Sequence, residues 1–258
     1  MTLSCCVWSL PGSTDRVLDE IAGAGFDLID VKPDTLTPEA SREKAVGLGL
    51  RVSSVGASFG IPEGVALDSP DPDEVSRAMR HFEEGLRTSK DLSADVVYVL
   101  PGIGDDSESM ARYARSLESL AGTADDLGLK LCIEHFPNTA LFTASGTLEF
   151  IHGIGHPNLY LLFDIGHSQI SGEDPANTIR QAGDRLAYVH LDDNDGEGDL
   201  HLELTDGVLT EEVLGGTLEA LNEIGYAGPV SIELNPNLSE PIESVKRSKN
   251  LVKRIAGL

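Results

Sequence analysis

Short runs rich in β-branched and aromatic residues alternate along the chain with longer segments whose apolar positions recur every three to four residues. The runs read LSCCVW, FDLIDV, LRVSSVG, DVVYVL, LKLCIEH, LYLLFDIGH, LAYVHLD and GPVSIEL, eight in all. VVYVL and YLLF are apolar at consecutive positions, as in strands covered on both faces, which implies a parallel sheet with helical crossovers. Helical spacing fills 14–24, 38–48, 72–91, 106–127, 174–182, 210–224 and 239–256, with a shorter segment at 145–153. Ser, Thr or Asp opens several of these, and Gly follows the helical stretch in AGAGFDLID, VGLGLRVSS, DDLGLKLCI and NEIGYAGPV. Eight units with no long linker predict an α/β fold, one (β/α)8 TIM barrel forming a single domain over 1–258. An open doubly wound sheet is the alternative, but the first strand-to-helix turn, SLPGSTD, lacks the GxGxxG that would cradle a dinucleotide.

Composition narrows the function classes. The chain has 258 residues, 40% of them hydrophobic, with a mean hydropathy of −0.09, as expected of a soluble protein with a substantial core. No apolar run approaches the roughly 20 residues that span a bilayer, and MTLSCCVWSLPGSTD lacks a signal-peptide pattern. Cys5, Cys6 and Cys132 form neither a disulfide framework nor a metal knuckle, so the expected compartment is the reducing cytoplasm, with Cys132 as core filler. Against 19 Lys and Arg stand 43 Asp and Glu, a net charge of −24 that repels phosphate backbones and anionic membranes. The expected partner is a small molecule, with no nucleic acid and no membrane.

In a (β/α)8 barrel the chemistry collects where strands end. Four consecutive runs finish on ionisable groups: IEHFPN with Glu134 and His135, FDIGHS with Asp164 and His167, YVHLDDND with His190, and SIELNP with Glu233. Singly, each acid reads as a helix cap or loop acceptor and His190 as a core histidine. Together, carboxylates crowded at one mouth repel each other unless a cation neutralises them. One divalent metal held by Glu134, Asp164, His190 and Glu233 answers that constraint. An oxygen-rich set with one imidazole favours Mn²⁺, with Mg²⁺, Co²⁺ or Zn²⁺ also open. The loop DDNDGEGD after His190 reads as solvated, because Leu204 stands where an EF-hand's closing Glu belongs.

The segments IEHFP, FDIGH, YVHLDD and IGYAGPVSIEL resemble the xylose-isomerase-like barrel superfamily of sugar phosphate isomerases and epimerases. That resemblance implies the same four metal ligands, one after each of strands five to eight, and a substrate contact from His167 in the Asp164-x-x-His167 motif. His201 and His135 are further substrate-contact candidates. Asp199-Leu200-His201 resembles the Asp-x-His of the superfamily's abasic-site endonucleases, yet substrate contact or plain surface is the preferred reading over a second metal. A basic residue that many members carry after strand seven is missing from GDLHLELTDG.

The expected activity is a divalent-metal-dependent isomerase or epimerase acting on a sugar, or a sugar-like polyol or keto acid, through an enediolate. The resemblance implies Glu134 and Glu233 as the catalytic acid and base. A metal-dependent lyase or dehydratase and a non-catalytic sugar-binding barrel are the alternatives, and the charge argues against an endonuclease. The resemblance also implies a homo-oligomer, a dimer or tetramer.

Overall fold

The computed structural model describes residues 1–102 and 104–257; Ile103, in the run VYVLPGIG, and Leu258 lie outside the described residues. Eight parallel strands close into a barrel in sequence order. They are β1 (Thr2–Cys6), β2 (Leu28–Val31), β3 (Arg51–Gly56), β4 (Val96–Val99), β5 (Lys130–Glu134), β6 (Leu159–Asp164), β7 (Leu186–Leu191) and β8 (Pro229–Ile232). The helices around them are α1 (Thr14–Gly23), α2 (Glu39–Gly47), α3 (Pro72–Asp91), α4 (Ser107–Leu127), α5 (Ala144–Ile154), α6 (Ile165–Ile170), α7 (Pro175–Ala182), α8 (Glu211–Glu223) and α9 (Pro241–Ala256). The expected single α/β barrel is the fold observed.

Local chemistry explains where the helices start and stop. Asp106 accepts the Glu108 and Ser109 N–H groups to open α4, while Asp71 followed by Pro72 opens α3. Gly128 ends α4 at φ 72°, a left-handed cap that costs a side-chain-bearing residue strain. No described helix is long and apolar enough to cross a membrane.

Successive strand residues face opposite ways, and here the two faces differ in kind. Outward residues such as Val97, Leu131, Leu161 and Val230 join the main apolar core beneath the helices. Inward residues form a smaller cluster on one side only, from Val96, Tyr98, Cys132, Leu162 and Tyr188. The other side of the lumen is polar, lined by the buried Ser4, Cys6, Asp30, Ser53 and Ser231. This parity matters for function: Cys132, Leu162, Tyr188 and Ser231 point inward, so two residues later Glu134, Asp164, His190 and Glu233 point inward too.

Three local expectations are corrected. The sixth run reads as strand to His167, but β6 stops at Asp164, whose side chain accepts the His167 N–H and caps α6. The segment at 145–153 is a full helix, α5, because Thr143 caps it through the Gly146 N–H. The loop after His190 is not solvated at its root: Asp192, Asp193 and Asn194 are buried. Asp193 accepts the backbone N–H groups of Asn194, Gly207 and Leu209 at 2.7–2.9 Å, pinning both ends of the loop. Replacing Asp193 with Ala strands three backbone donors, of which those of Asn194 and Leu209 are buried, at about 1–3 kcal/mol for each buried one left without a new partner. The expected outcome is a lower melting temperature and new protease cleavage confined to 194–209, read by mass spectrometry; cleavage no faster than wild type would refute the pin.

Candidate metal centre

The four ligand candidates meet. Glu134, Asp164, His190 and Glu233 each present a donor atom, all within 4.8 Å of one another, and all four are buried. His190 Nδ1 lies at the middle, 2.7 Å from Glu233 Oε2, 3.3 Å from Glu134 Oε1 and 3.9 Å from Asp164 Oδ2. Sheet register produces this convergence: Asp164 is paired with His190 across β6–β7, and Glu134 with Leu162 across β5–β6. Glu233 sits one residue past β8, where the Trp8 indole N–H donates to its Oε1 at 2.6 Å. Asp164 divides its carboxylate, with Oδ1 on the helix cap and Oδ2 buried without a hydrogen-bond partner.

Such a set fits a divalent cation. It offers three carboxylates, an imidazole and an orphaned carboxylate oxygen aimed at a common point, which is costly to bury unless something positive binds there. Burial and the charge of Asp192 push Asp164 up to about 7. Burial likewise raises Glu134, although His190 counteracts it. Burial alone would raise Glu233 too, but His190, His201 and the Trp8 donor pull it down to about 2. The neighbouring carboxylates outweigh burial at His190 and drive its pKa upward. A proton on the imidazole does part of the neutralising that a cation would complete.

The three histidines read as substrate contacts occupy different places. His167 Nδ1 is 2.8 Å from the His135 carbonyl, and its Nε2 faces Asp199 Oδ1 at 3.3 Å. His201 meets the same Asp199 oxygen at 3.3 Å and Asp192 Oδ2 at 2.8 Å. His167, Asp199 and His201 thus form a second, more open group beside the first. Burial opposes charging His167, but Asp164, Asp199 and Glu134 prevail and raise it to about 10. His135 stands behind His167: it is fully buried, its Nε2 accepts the Asp164 N–H at 3.1 Å, and burial lowers it to about 3. Its visible work is to hold the end of β6. Gly166 packs so tightly that an added Cβ would lie 2.2 Å from Asp192 Oδ1, so only Gly fits in this turn.

Residues that sequence reasoning missed lie below and beside the cluster. Asp30, in the middle of β2, faces His190 Nε2 from the lumen at 3.3 Å with no solvent exposure. An acid inside the apolar run FDLIDV was its signal. Trp8 donates to Glu233 and packs against Phe59 with ring centroids 4.9 Å apart. A cavity of about 430 Å³ opens beside Trp8, lined by Lys32, Asp34, Thr35 and Asn237 among others. Lys32 is the single Lys or Arg in the loops that follow the eight strands, and its ammonium sits 4.7 Å from the Phe59 ring centroid. A larger cavity of about 1040 Å³ lies at the opposite end of the barrel, around Thr2, Arg51 and Lys130, away from this chemistry.

The sequence pattern of the xylose isomerase-like TIM barrel family matches residues 18–254. The chain belongs to that family. A D-psicose 3-epimerase of Enterocloster bolteae is 27% identical over 241 residues, covering 84% of this chain and 75% of that enzyme. An inosose dehydratase of Lacticaseibacillus casei is 28% identical over 183 residues, 65% of this chain and 61% of its own length. A solved L-ribulose 3-epimerase structure superposes with a TM-score of 0.84 at 23% identity, covering 100% of this chain and 95% of that one, which supports the fold.

Charge crowding makes a stability prediction. Folded Asp164 keeps its proton up to about pH 7, whereas an unfolded Asp loses it near 4. The metal-free fold therefore binds the extra proton and loses stability as pH rises between those values. Asp164→Asn keeps an acceptor for the cap and removes the charge, so with chelator present it should melt above wild type at pH 8, by roughly 1–3 kcal/mol, and converge at pH 4. A variant that melts lower at pH 8, by circular dichroism, would contradict this.

Proposed function

We propose that this protein is a divalent-metal-dependent sugar epimerase or isomerase, with Glu134, Asp164, His190 and Glu233 as metal ligands and Glu134 and Glu233 as the proton-transferring pair. The observation that carries the reading is the buried convergence of those four donors at the carboxyl ends of β5 to β8. The epimerase relatives support the substrate class, a ketose of five or six carbons. Mn²⁺ is the preferred ion, on the oxygen-rich donor set.

A bound cation would stabilise negative charge developing on the substrate's carbonyl and neighbouring hydroxyl. The protein's own groups do the rest. Glu134 and Glu233 approach from strands on different sides of His190, so one can remove a carbon-bound proton while the other delivers one. The Trp8 donor holds Glu233 in a fixed rotamer, and the Asp164 cap holds the end of β6 in place. Trp8 and Phe59 offer an apolar wall to the C–H face of a sugar, while the ring nitrogens of His167 and His201 that meet at Asp199 are the groups that would bind its hydroxyls. The substrate remains a small molecule in this reading, with no nucleic-acid or membrane partner. Cytoplasmic location and a homo-oligomeric assembly, dimer or tetramer, complete the proposal.

The dehydratase relative favours a second reading, in which the same carbanion expels a β-hydroxyl instead of being reprotonated. One experiment separates them. Manganese-loaded protein is incubated with D-psicose and L-ribulose in deuterated water and followed by NMR and ultraviolet absorption. Epimerisation predicts deuterium at the inverted carbon and the epimeric ketose as product, with a fall of at least about 10³-fold in Glu134→Gln and in Glu233→Gln. Loss of water with a new chromophore would replace the assignment, and C–H positions untouched in wild type would remove it for these sugars.

A further inference from the structure

Beneath the four ligands, the lumen holds a charge that the proposed chemistry does not use. Asp30 is fully buried near the middle of the barrel. Its Oδ1 accepts from Ser4 Oγ at 2.8 Å, from Ser53 Oγ at 2.7 Å and from the Tyr188 hydroxyl, while its Oδ2 faces His190 Nε2 at 3.3 Å. A carboxylate costs several kcal/mol to bury, and an apolar residue would fill this place more cheaply if packing were its only purpose.

The sheet is bent to make these contacts. Two of the eight strand pairings slip register. In the first, Ile29 pairs with Val52 and Asp30 with Ser54, leaving Ser53 in the bulge with its hydroxyl on Asp30. In the second, Leu161 pairs with Leu186 and Leu162 with Tyr188, so the slip falls next to the tyrosine that reaches across the lumen to Asp30. Bulges near sites re-aim side chains, and both of these serve one carboxylate.

We propose that Asp30 is the positioning residue of the metal centre, holding His190 with its proton on Nε2 so that the Nδ1 lone pair points at the ion. This deepens the reading above and rests on it. The argument is one of donors and acceptors. A carboxylate only accepts, so once a cation lies among Glu134, Asp164 and Glu233 the one hydrogen of the neutral ring belongs on the nitrogen facing Asp30. In a neutral imidazole the other nitrogen, Nδ1, is then bare, and it is the nitrogen that lies among Glu134, Asp164 and Glu233. Without Asp30 the ring is free to place its proton on Nδ1, hydrogen-bonded to Glu233, where it blocks coordination. The three hydroxyls on Oδ1 prevent the carboxylate from turning away, and Tyr188 and Tyr98 meet the His190 ring edge-on, at centroid distances of 5.6 and 5.4 Å, which fixes its plane. A carboxylate behind a ligating histidine orients the ring and raises its basicity.

The test is titration of the full metal-free chain with Mn²⁺ in a calorimeter and with Co²⁺ in a visible spectrophotometer. Wild type should bind one ion at this centre. Asp30→Asn keeps the shape but not the charge, and its dissociation constant should rise about 10- to 100-fold, with a changed Co²⁺ absorption band. Tyr188→Phe removes a donor from the same network while keeping the carboxylate, and should stay within about threefold of wild type even if it melts lower. Unchanged affinity and spectrum in Asp30→Asn overturn the proposal. An equal loss in Tyr188→Phe overturns it too, since the network would then act through packing alone. Failure of wild type to bind either ion overturns the metal centre itself, and Asp30's role with it.

Discussion

Like charges brought together out of water govern this molecule. Three carboxylates surround one nitrogen of His190 and a fourth stands behind the other. Each is far from solvent, so each must be met by a donor, a proton or a cation. The neighbouring structure supplies donors to three of them: an indole for Glu233, a backbone N–H for Asp164, three hydroxyls for Asp30. What remains unmatched is the space between Glu134, Asp164, His190 and Glu233. A barrel tolerates this because its apolar shell lies outside the sheet, where the helices bury it independently of the lumen.

The architecture was legible because it is written in periodicity. Runs such as VVYVL and YLLF mark doubly covered strands, and repeated glycines after helical stretches mark the unit boundaries. The four converging positions were legible for the same reason, since acids and an imidazole closing successive apolar runs stand out against them. Asp30 was not found, because it closes no run: it sits inside FDLIDV, and its partners Ser4, Ser53 and Tyr188 are far away in sequence and unremarkable alone. The loop after β7 was misread on composition. Its acids look solvated, but Asp193 is spent on backbone donors across a chain separation that no local pattern encodes.

Several residues carry two duties. Asp164 is helix cap with one oxygen and ligand candidate with the other, which is why β6 ends where it does and why the capping reading and the metal reading of that residue do not compete. Trp8 is a wall by its ring and a clamp by its N–H. Such sharing ties the geometry of the centre to the strand ends, so local errors in folding and errors in the site coincide.

The loops over the mouth carry many acids and one base, Lys32. A rim of predominantly one sign in front of a low-dielectric cleft focuses the field outward, concentrating counter-ions at the entrance. Such a field favours the approach of cations over that of anions within roughly a Debye length, about 10 Å at 0.1 M ionic strength. The entrance is thereby an electrostatic filter that sorts arrivals by charge before any side chain in the barrel touches them.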